Sequence, residues 1–388
     1  MSKIVIIGNS PASVTAIETL RANGFSGEIV LFCAQGVLPY AQEVFPAWVA
    51  KDVKESQVFL KLDKFIQEHK IALIANEKLT RISTKRHQLT TENKTHVAFD
   101  QLLITDLPAA AYPSIKGYQK EGVFNTYLFP SVKHLTKTLH EIDNVVVKVS
   151  RLDGFEFACA LSRADKEVVM LAPKEGLLSS IFDEETSMLL KQIVEAKGIR
   201  VIYDDIDEIL GDTQVKAVRL ESGKVMAAEG VVFDNVTPDI KILHETDLLI
   251  DGVFSVNASY QTAEERVFAA GNAVVGFGLT HQELSAYGKA AALNMLHPGS
   301  GTERSGLVVR DFGAAICDGF YGGQLRLPEG GREHMKFDGP SNIYKKIYLS
   351  SDKLVGAVWM NAMADKPRVV KALNEQQILP SGQEDQFL

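Results

Sequence analysis

The sequence predicts an α/β protein of two Rossmann-like three-layer domains, one of them split along the chain, followed by a small C-terminal α+β domain. Three observations carry this. The opening stretch Lys3-Ile-Val-Ile-Ile-Gly-Asn-Ser-Pro-Ala-Ser13 runs four branched apolar residues into a glycine, a small-residue turn and a helix-compatible segment, which reads as a buried parallel strand feeding a helix N-terminus. The same plan returns at Asn144-Val-Val-Val-Lys-Val-Ser150 followed by 151–158, a duplication of architecture. Past the break Pro298-Gly-Ser-Gly-Thr302 the pattern changes: strand-like segments around 307–312, 344–349 and 353–360 precede a helical stretch at 366–375, as in a compact α+β unit.

Each element follows from its local pattern. Gly27-Glu-Ile-Val-Leu-Phe-Cys33 is a second buried strand, and the loop Val37-Leu-Pro-Tyr-Ala-Gln42 carries a proline and an aromatic. Residues 61–69 read as a helix, 71–75 as a strand, 79–99 as an antiparallel excursion, and Phe99-Asp-Gln-Leu-Leu-Ile-Thr-Asp106 as a further parallel strand. The second unit begins at Gly122, with a helix at 132–142, a strand at 167–172, a long helix at 183–197 and a short strand at 199–203. A hairpin at 215–225 leads to the buried strand Gly230-Val-Val-Phe-Asp234. Arg266-Val-Phe-Ala-Ala-Gly-Asn272 is a strand reaching a glycine turn, and 284–296 is a helix whose Ala and Gly residues suit tight packing on a sheet.

The chain has 388 residues, 46% of them apolar and 23% charged, and a formal net charge of −8. That is enough chain for several full cores, and without a dense Lys/Arg block the negative balance argues against nucleic acid as the main partner. No apolar run reaches the roughly 18 to 20 residues of a membrane span, and the first residues already form strand rather than an export signal, so a cytoplasmic protein without membrane contact is expected. Cys33, Cys159 and Cys317 are far apart in sequence. They form neither a C-x-x-C pair nor a metal-ligand pattern, and buried, isolated thiols are the expectation for all three.

The first turn bears most directly on chemistry. A G-x-G-x-x-G turn aims backbone N–H groups and the positive helix end at a dinucleotide pyrophosphate. Here the spacing keeps Gly8 but places Ser10 and Ser13 at the other two positions; serine is small and can donate to phosphate, yet its Cβ stands where close approach is needed. Cys33 occupies the end of the second strand, where a ribose-binding acid normally sits. At the second turn, counting back from Gly154, the glycine positions hold Val149 and Arg151. Arg151 either contacts a phosphate or belongs to a helix start that binds no dinucleotide.

The order of Ile6-Ile-Gly-Asn-Ser-Pro-Ala-Ser13, Leu38-Pro-Tyr40, Phe99-Asp-Gln-Leu-Leu-Ile104, Leu189-Leu-Lys with Gly198-Ile-Arg-Val201, Val267-Phe-Ala-Ala-Gly-Asn272, Gly288-Lys-Ala-Ala-Ala-Leu-Asn294, Tyr344-Lys-Lys-Ile-Tyr and Leu354-Val-Gly-Ala357 resembles the FAD-dependent pyridine nucleotide-disulfide oxidoreductase superfamily. The branch it resembles most contains rubredoxin and ferredoxin reductases and the FAD module of assimilatory nitrite reductase, which work without a redox disulfide. The resemblance implies a discontinuous FAD-type domain at 1–117 and 246–300, an inserted NAD-type domain at 118–245 and a dimerisation-like domain at 303–383. It assigns FAD contacts to Gly8, Ser10, Pro11, Ala12, Ser13, Cys33, Tyr40, Gln42, Gly271, Asn272 and His281, with no metal site and no identified catalytic residue. Departures are equally specific: Cys33 replaces the ribose-binding acid, Gln42 an arginine, Thr105-Asp106-Leu107 an Ala-Thr-Gly turn, and Asn272 the aspartate that binds the ribityl chain. Asparagine is the mildest of these changes because its amide still accepts and donates hydrogen bonds.

Two single residues have competing readings. Tyr40 lies near the flavin ring or simply packs over the core, and His281 either donates to a reduced flavin or is a polar helix start. Trp359 and Tyr321 fit the C-terminal core or interface.

Functional alternatives follow. One is an FAD-binding oxidoreductase-like protein that passes electrons to or from a redox protein partner, with weakened or absent NAD(P)H use and, by family analogy, a homodimer. Buried surface along an extended cofactor tolerates a lost glycine better than hydride transfer tolerates a misplaced nicotinamide. The other is a cofactor-free pseudoenzyme acting as scaffold, regulator or assembly subunit. A third possibility is a pocket adapted to another nucleotide or a small anion.

Overall fold

The computed structural model describes residues 2–388 apart from 34–35, 61–62, 111–114, 239–241, 244–247, 251–252, 302–306, 314–315 and 328, and the backbone alone at 63, 109, 110, 238 and 250. Lys3–Ile7 forms the middle of a five-stranded parallel sheet ordered Val267–Ala269, Gln101–Ile104, Lys3–Ile7, Glu28–Phe32, Ile71–Ile74. Ile4 and Ile6 enter the core on one face, Val5 and Ile7 that on the other. Burial on both faces is why the strand reads as an unbroken apolar run rather than an alternation.

The second unit repeats the design with the order Arg200–Tyr203, Glu167–Ala172, Asn144–Lys148, Gly230–Phe233, Val123–Asn125, again parallel throughout. Each sheet is accompanied by a three-stranded antiparallel excursion, Leu79–Ser83 with Gln88–Thr91 and His96–Ala98 in the first unit and Ile206–Leu210 with Ala217–Leu220 and Val225–Ala227 in the second. The chain passes between the units along the antiparallel pair Pro108–Ala110 and Val236–Pro238. Val267–Ala269 lies against Gln101–Ile104, so the segment after the second unit returns to the first sheet. The junctions expected at residues 246 and 303 lie outside the described residues.

Behind the first sheet, the helices Pro11–Ala22 and His281–Leu296 meet at close range. Gly288 makes that possible: a Cβ there would stand 2.1 Å from the Ala12 carbonyl oxygen. The helix expected over 61–69 is present as Asp63–Glu68, residues 61 and 62 being outside the described set.

The C-terminal unit is a five-stranded antiparallel sheet ordered Val309–Phe312, Gly319–Gly323, Lys353–Met360, Ile343–Ser350, Arg332–Asp338, covered by the helix Lys366–Asn374. Two of these strands were not read from the sequence. Gly319–Gly323 has three glycines in five residues and little intrinsic strand preference, while Arg332–Asp338 is an exposed edge strand rich in charge. Lys346, almost fully buried, reaches Asp183 and Glu185 at 3.0 Å and Glu333 at 3.2 Å, tying this sheet to the start of the helix Glu184–Glu195. A buried ammonium needs such a ring of carboxylates, since an unpaired one is strongly destabilising. Among the described residues no helix is long and apolar enough to cross a membrane.

Candidate functional site

The C-terminal ends of the first-sheet strands, the second helix start and the C-terminal sheet enclose a cleft of about 620 Å³. This is the crevice where open parallel sheets bind ligands, and its size suits a small-molecule or cofactor fragment. Ser10, Pro11, Tyr40, Gln42, Asn272 and His281 line it, together with Asp106, Tyr127, Arg151, Asp153, Glu156 and Arg310. Of the sequence-predicted positions, Gly8, Ala12, Ser13, Cys33 and Gly271 do not line it.

The first turn shows why. Gly8 has φ +150, and a Cβ there would meet the Thr105 hydroxyl at 1.9 Å and Asp106 Oδ1 at 2.2 Å. The side chains that follow the strand Gln101–Ile104 have moved into the space over the glycine. Asp106 Oδ1 accepts from the Asn9 N–H at 2.9 Å and lies 3.0 Å from the Thr105 hydroxyl. Asp106 is buried, and burial pushes its carboxyl up to about 6 against the opposing pull of the Thr105 hydroxyl and the backbone at Asn9 and Ser10. Pro11 then opens the helix with no N–H to offer. The Ser13 hydroxyl is spent inside the turn, donating to the Ser10 carbonyl at 2.7 Å. Cys33 is fully buried behind this layer, its thiol pushed up to about 12 by burial and by Asp106.

The second turn has the same construction. Asp234, following the strand Gly230–Phe233, places Oδ2 2.7 Å from the backbone N–H groups of both Ser150 and Arg151. A Cβ on Gly154 would meet that oxygen at 2.5 Å. Asp234 is fully buried, its carboxyl is pushed up to about 7, chiefly by burial, and its Oδ1 has no hydrogen-bond partner. The Arg151 guanidinium packs on Gly278, where a Cβ would lie 2.3 Å from its Nη2, and pairs loosely with Asp153 at 3.6 Å.

Between the turns stands Asn272, placed by Gly271, whose φ of +61 starts the short helix Asn272–Val275; only glycine takes this conformation freely. The buried Asn272 Nδ2 donates to the Tyr127 hydroxyl at 2.7 Å and its Oδ1 has no partner. Tyr40 stacks on Phe45 at 5.3 Å and lies 5.8 Å from Phe129, so it belongs to an aromatic cluster as well as to the cleft wall. Its backbone N–H donates to the Asn9 carbonyl at 3.0 Å, which ties the loop to the first turn. His281 begins the helix capped by Thr280, whose hydroxyl accepts from the Glu283 N–H while Glu283 accepts from the Thr280 N–H, the reciprocal capping box. The half-exposed imidazole sits 3.2 Å from Glu43.

Four further residues belong to the cleft or its turns: Glu156, Tyr127, Asp234 and Asp106. Glu156 lines the cleft with its carboxyl pushed up to about 8 by burial and then by Asp153, Asp311 and Glu43; its place two residues after Gly154 is the one signal the sequence holds. Tyr127 had no motif to mark it. Asp234 read only as the end of a strand, and Asp106 only as a departure from a family turn. The cysteines are free and buried, with thiols raised by burial, and among the described residues no His/Cys/Asp/Glu group is arranged to hold a metal.

Two parallel Rossmann-like sheets face one cleft, and an antiparallel C-terminal sheet closes it. The family model described as pyridine nucleotide-disulphide oxidoreductase matches residues 2–288, and the chain belongs to that family. It is 22% identical over 380 residues to the assimilatory nitrate reductase electron transfer subunit of Bacillus subtilis (strain 168), covering 96% of this chain and 49% of that protein. It is 24% identical over 273 residues to a rubredoxin-NAD(+) reductase of Ectopseudomonas oleovorans, covering 69% of this chain and 71% of that one. The chain thus spans about half the length of the first of these relatives. Its fold matches the crystal structure of a covalent putidaredoxin reductase-putidaredoxin complex with a TM-score of 0.84 at 16% identity, over 100% of this chain and 95% of that one.

The family implies FAD and a nicotinamide nucleotide. At the cleft the residues suit a hydroxyl-bearing part of such a ligand, since the buried Asn272 Oδ1 lacks a partner. At the turns they do not suit a pyrophosphate, because Asp106 and Asp234 hold the backbone donors that would bind it.

Proposed function

We infer that the chain is an electron-transfer protein on the reductase plan, taking FAD through the interdomain cleft, exchanging electrons with a redox protein partner and using NAD(P)H weakly or not at all. The observation that carries this is the cleft itself, with Asn272 presented to it by the positive-φ Gly271 and left with an unpaired buried carbonyl oxygen. An orphaned buried acceptor costs about 1–3 kcal/mol, which a ligand hydroxyl would recover. The names of the relatives, electron transfer subunit and rubredoxin reductase, support the same reading. Arg151 at a turn already filled by Asp234 supports weak nicotinamide use.

We assign self-association to the C-terminal sheet, whose edge strand Arg332–Asp338 exposes Met335 and Phe337 on one face, and the workplace to the cytoplasm. The second reading, a cofactor-free scaffold, regulator or assembly subunit, is favoured by one observation: both pyrophosphate turns are satisfied by the chain's own carboxylates. Visible flavin absorbance in the purified protein, with FAD titration of the apoprotein and light scattering on the same sample, tests the assignment. Flavin that is weakly held and restored by added FAD, in a dimer, is the expected result. A folded, colourless protein that FAD does not bind contradicts the first reading and leaves the second.

A further inference from the structure

One feature is repeated in both Rossmann-like units. In each, an aspartate stands at the end of the parallel strand beside the one that feeds the turn: Asp106 after Gln101–Ile104, and Asp234 after Gly230–Phe233. Each carboxylate is buried, accepts from backbone N–H groups that precede a 12-residue helix, Pro11–Ala22 or Leu152–Arg163, and fills the space over the glycine of its turn. Those N–H groups are the donors a dinucleotide pyrophosphate uses in this fold. Asp234 adds an independent sign, since its buried Oδ1 lacks any hydrogen-bond partner.

We propose that Asp106 and Asp234 are built-in substitutes for dinucleotide phosphate, each carboxylate keeping the anion cradle of its own unit shut so that a pyrophosphate enters only by displacing it. For Asp106 this rests on the flavoprotein reading above; for Asp234 it concerns the second unit alone. Two costs oppose entry. In its ionised form the carboxylate repels a phosphate at short range in a poorly screened interior, and in either form displacing it leaves its donors unpaired until the phosphate arrives. The titratable groups facing Asp106 are Cys33, Tyr40 and Tyr127, contributed by the second strand's end, the loop after it and the segment before Phe129–Thr138. Those facing Asp234 are Arg151 and Asp153 on the second helix start. One cradle is therefore surrounded by groups that burial keeps neutral, and the other has a cation and a competing carboxylate.

The test is a crossed titration of the full chain with FAD and with NADH, followed by fluorescence, on the natural sequence, Asp106→Gly and Asp234→Gly, each verified as folded by circular dichroism. Asp106→Gly is expected to tighten FAD by at least about tenfold and to leave NADH unchanged; Asp234→Gly is expected to do the converse. Asp106→Asn and Asp234→Asn keep an acceptor but remove the charge, so they give smaller gains of the same selectivity, and they carry the comparison if a glycine variant does not fold. Equal binding by all chains, binding by none, or gains that ignore which aspartate was changed overturns the proposal. A natural chain that binds no FAD beside an Asp106→Gly variant that does supports the plug and removes the flavoprotein reading. Tight FAD binding unaffected at Asp106 does the opposite.

Discussion

At the first turn, Asp106 shares one oxygen between the Asn9 N–H and the Thr105 hydroxyl; at the second, Asp234 gives one oxygen to two N–H groups and leaves the other with none. The same device thus sits in two different surroundings. The first turn keeps small residues, Gly8, Ser10 and Pro11, and the last two open onto the cleft across from Asn272. The second is crowded by Arg151 packed on Gly278. A Rossmann-like unit thus keeps its fold with its ligand donors satisfied internally, and the quality of that satisfaction sets how costly the buried carboxylate is. The carboxyl is raised to about 7 at Asp234 and about 6 at Asp106, by burial in both.

That difference is measurable as stability against pH. A carboxyl whose folded pKa is raised binds a proton in the native state that the unfolded chain has already released, so its contribution is fully present below about pH 4 and is lost as pH rises through the folded value. For Asp234 the loss runs from about pH 4 to about 7 and amounts to roughly 4 kcal/mol at most; for Asp106 it ends near pH 6 and amounts to roughly 3. Asp234→Asn and Asp106→Asn remove these titrations. Denaturant unfolding from pH 4 to pH 8 is expected to show each variant gaining on the natural protein as pH rises, Asp234→Asn by the larger amount and over the wider window. Parallel curves for variants and natural chain would mean that neither carboxyl changes its protonation between the folded and unfolded chain in this range.

A smaller effect is expected at the glycines that face each turn. The first helix start is braced by Gly288, where an added methyl would meet the backbone oxygen of Ala12 at 2.1 Å, whereas a methyl on Gly154 would meet the side chain of Asp234. Backbone cannot yield as a side chain can. Gly288→Ala is expected to cost about 1–3 kcal/mol by denaturant unfolding, and Gly154→Ala less. The reverse order would mean that the second cradle is the more rigid of the two.

Much of the fold was legible in the sequence because parallel strands buried on both faces announce themselves as apolar runs, as Ile4 to Ile7 and Val145 to Val147 do. The C-terminal strands Gly319–Gly323 and Arg332–Asp338 were not, since glycine and edge charge mask a strand whose place is fixed by its neighbours. The site was legible in part. Gly8, Ser10, Gln42, Asn272 and His281 could be placed by order along the chain, and all but Gly8 line the cleft. The deeper role of Asp106 and Asp234 was hidden because a strand-end aspartate has no signature of its own: its partners, Asn9 for one and Ser150 with Arg151 for the other, lie 97 and about 84 residues away. Glu156 and Tyr127 likewise became site residues only when the two units met.

Two buried aspartates hold their carboxyls at the turns beside the cleft. Carbon-13 NMR of aspartate-labelled protein without added cofactor, with the Asn variants as assignment controls, reads both directly. Two carboxyl resonances titrating near 6 and near 7, with FAD shifting the Asp106 resonance and leaving that of Asp234 in place, is the predicted result. Both aspartates titrating in the ordinary range near 4, with neither resonance responding to FAD that demonstrably binds, would contradict it.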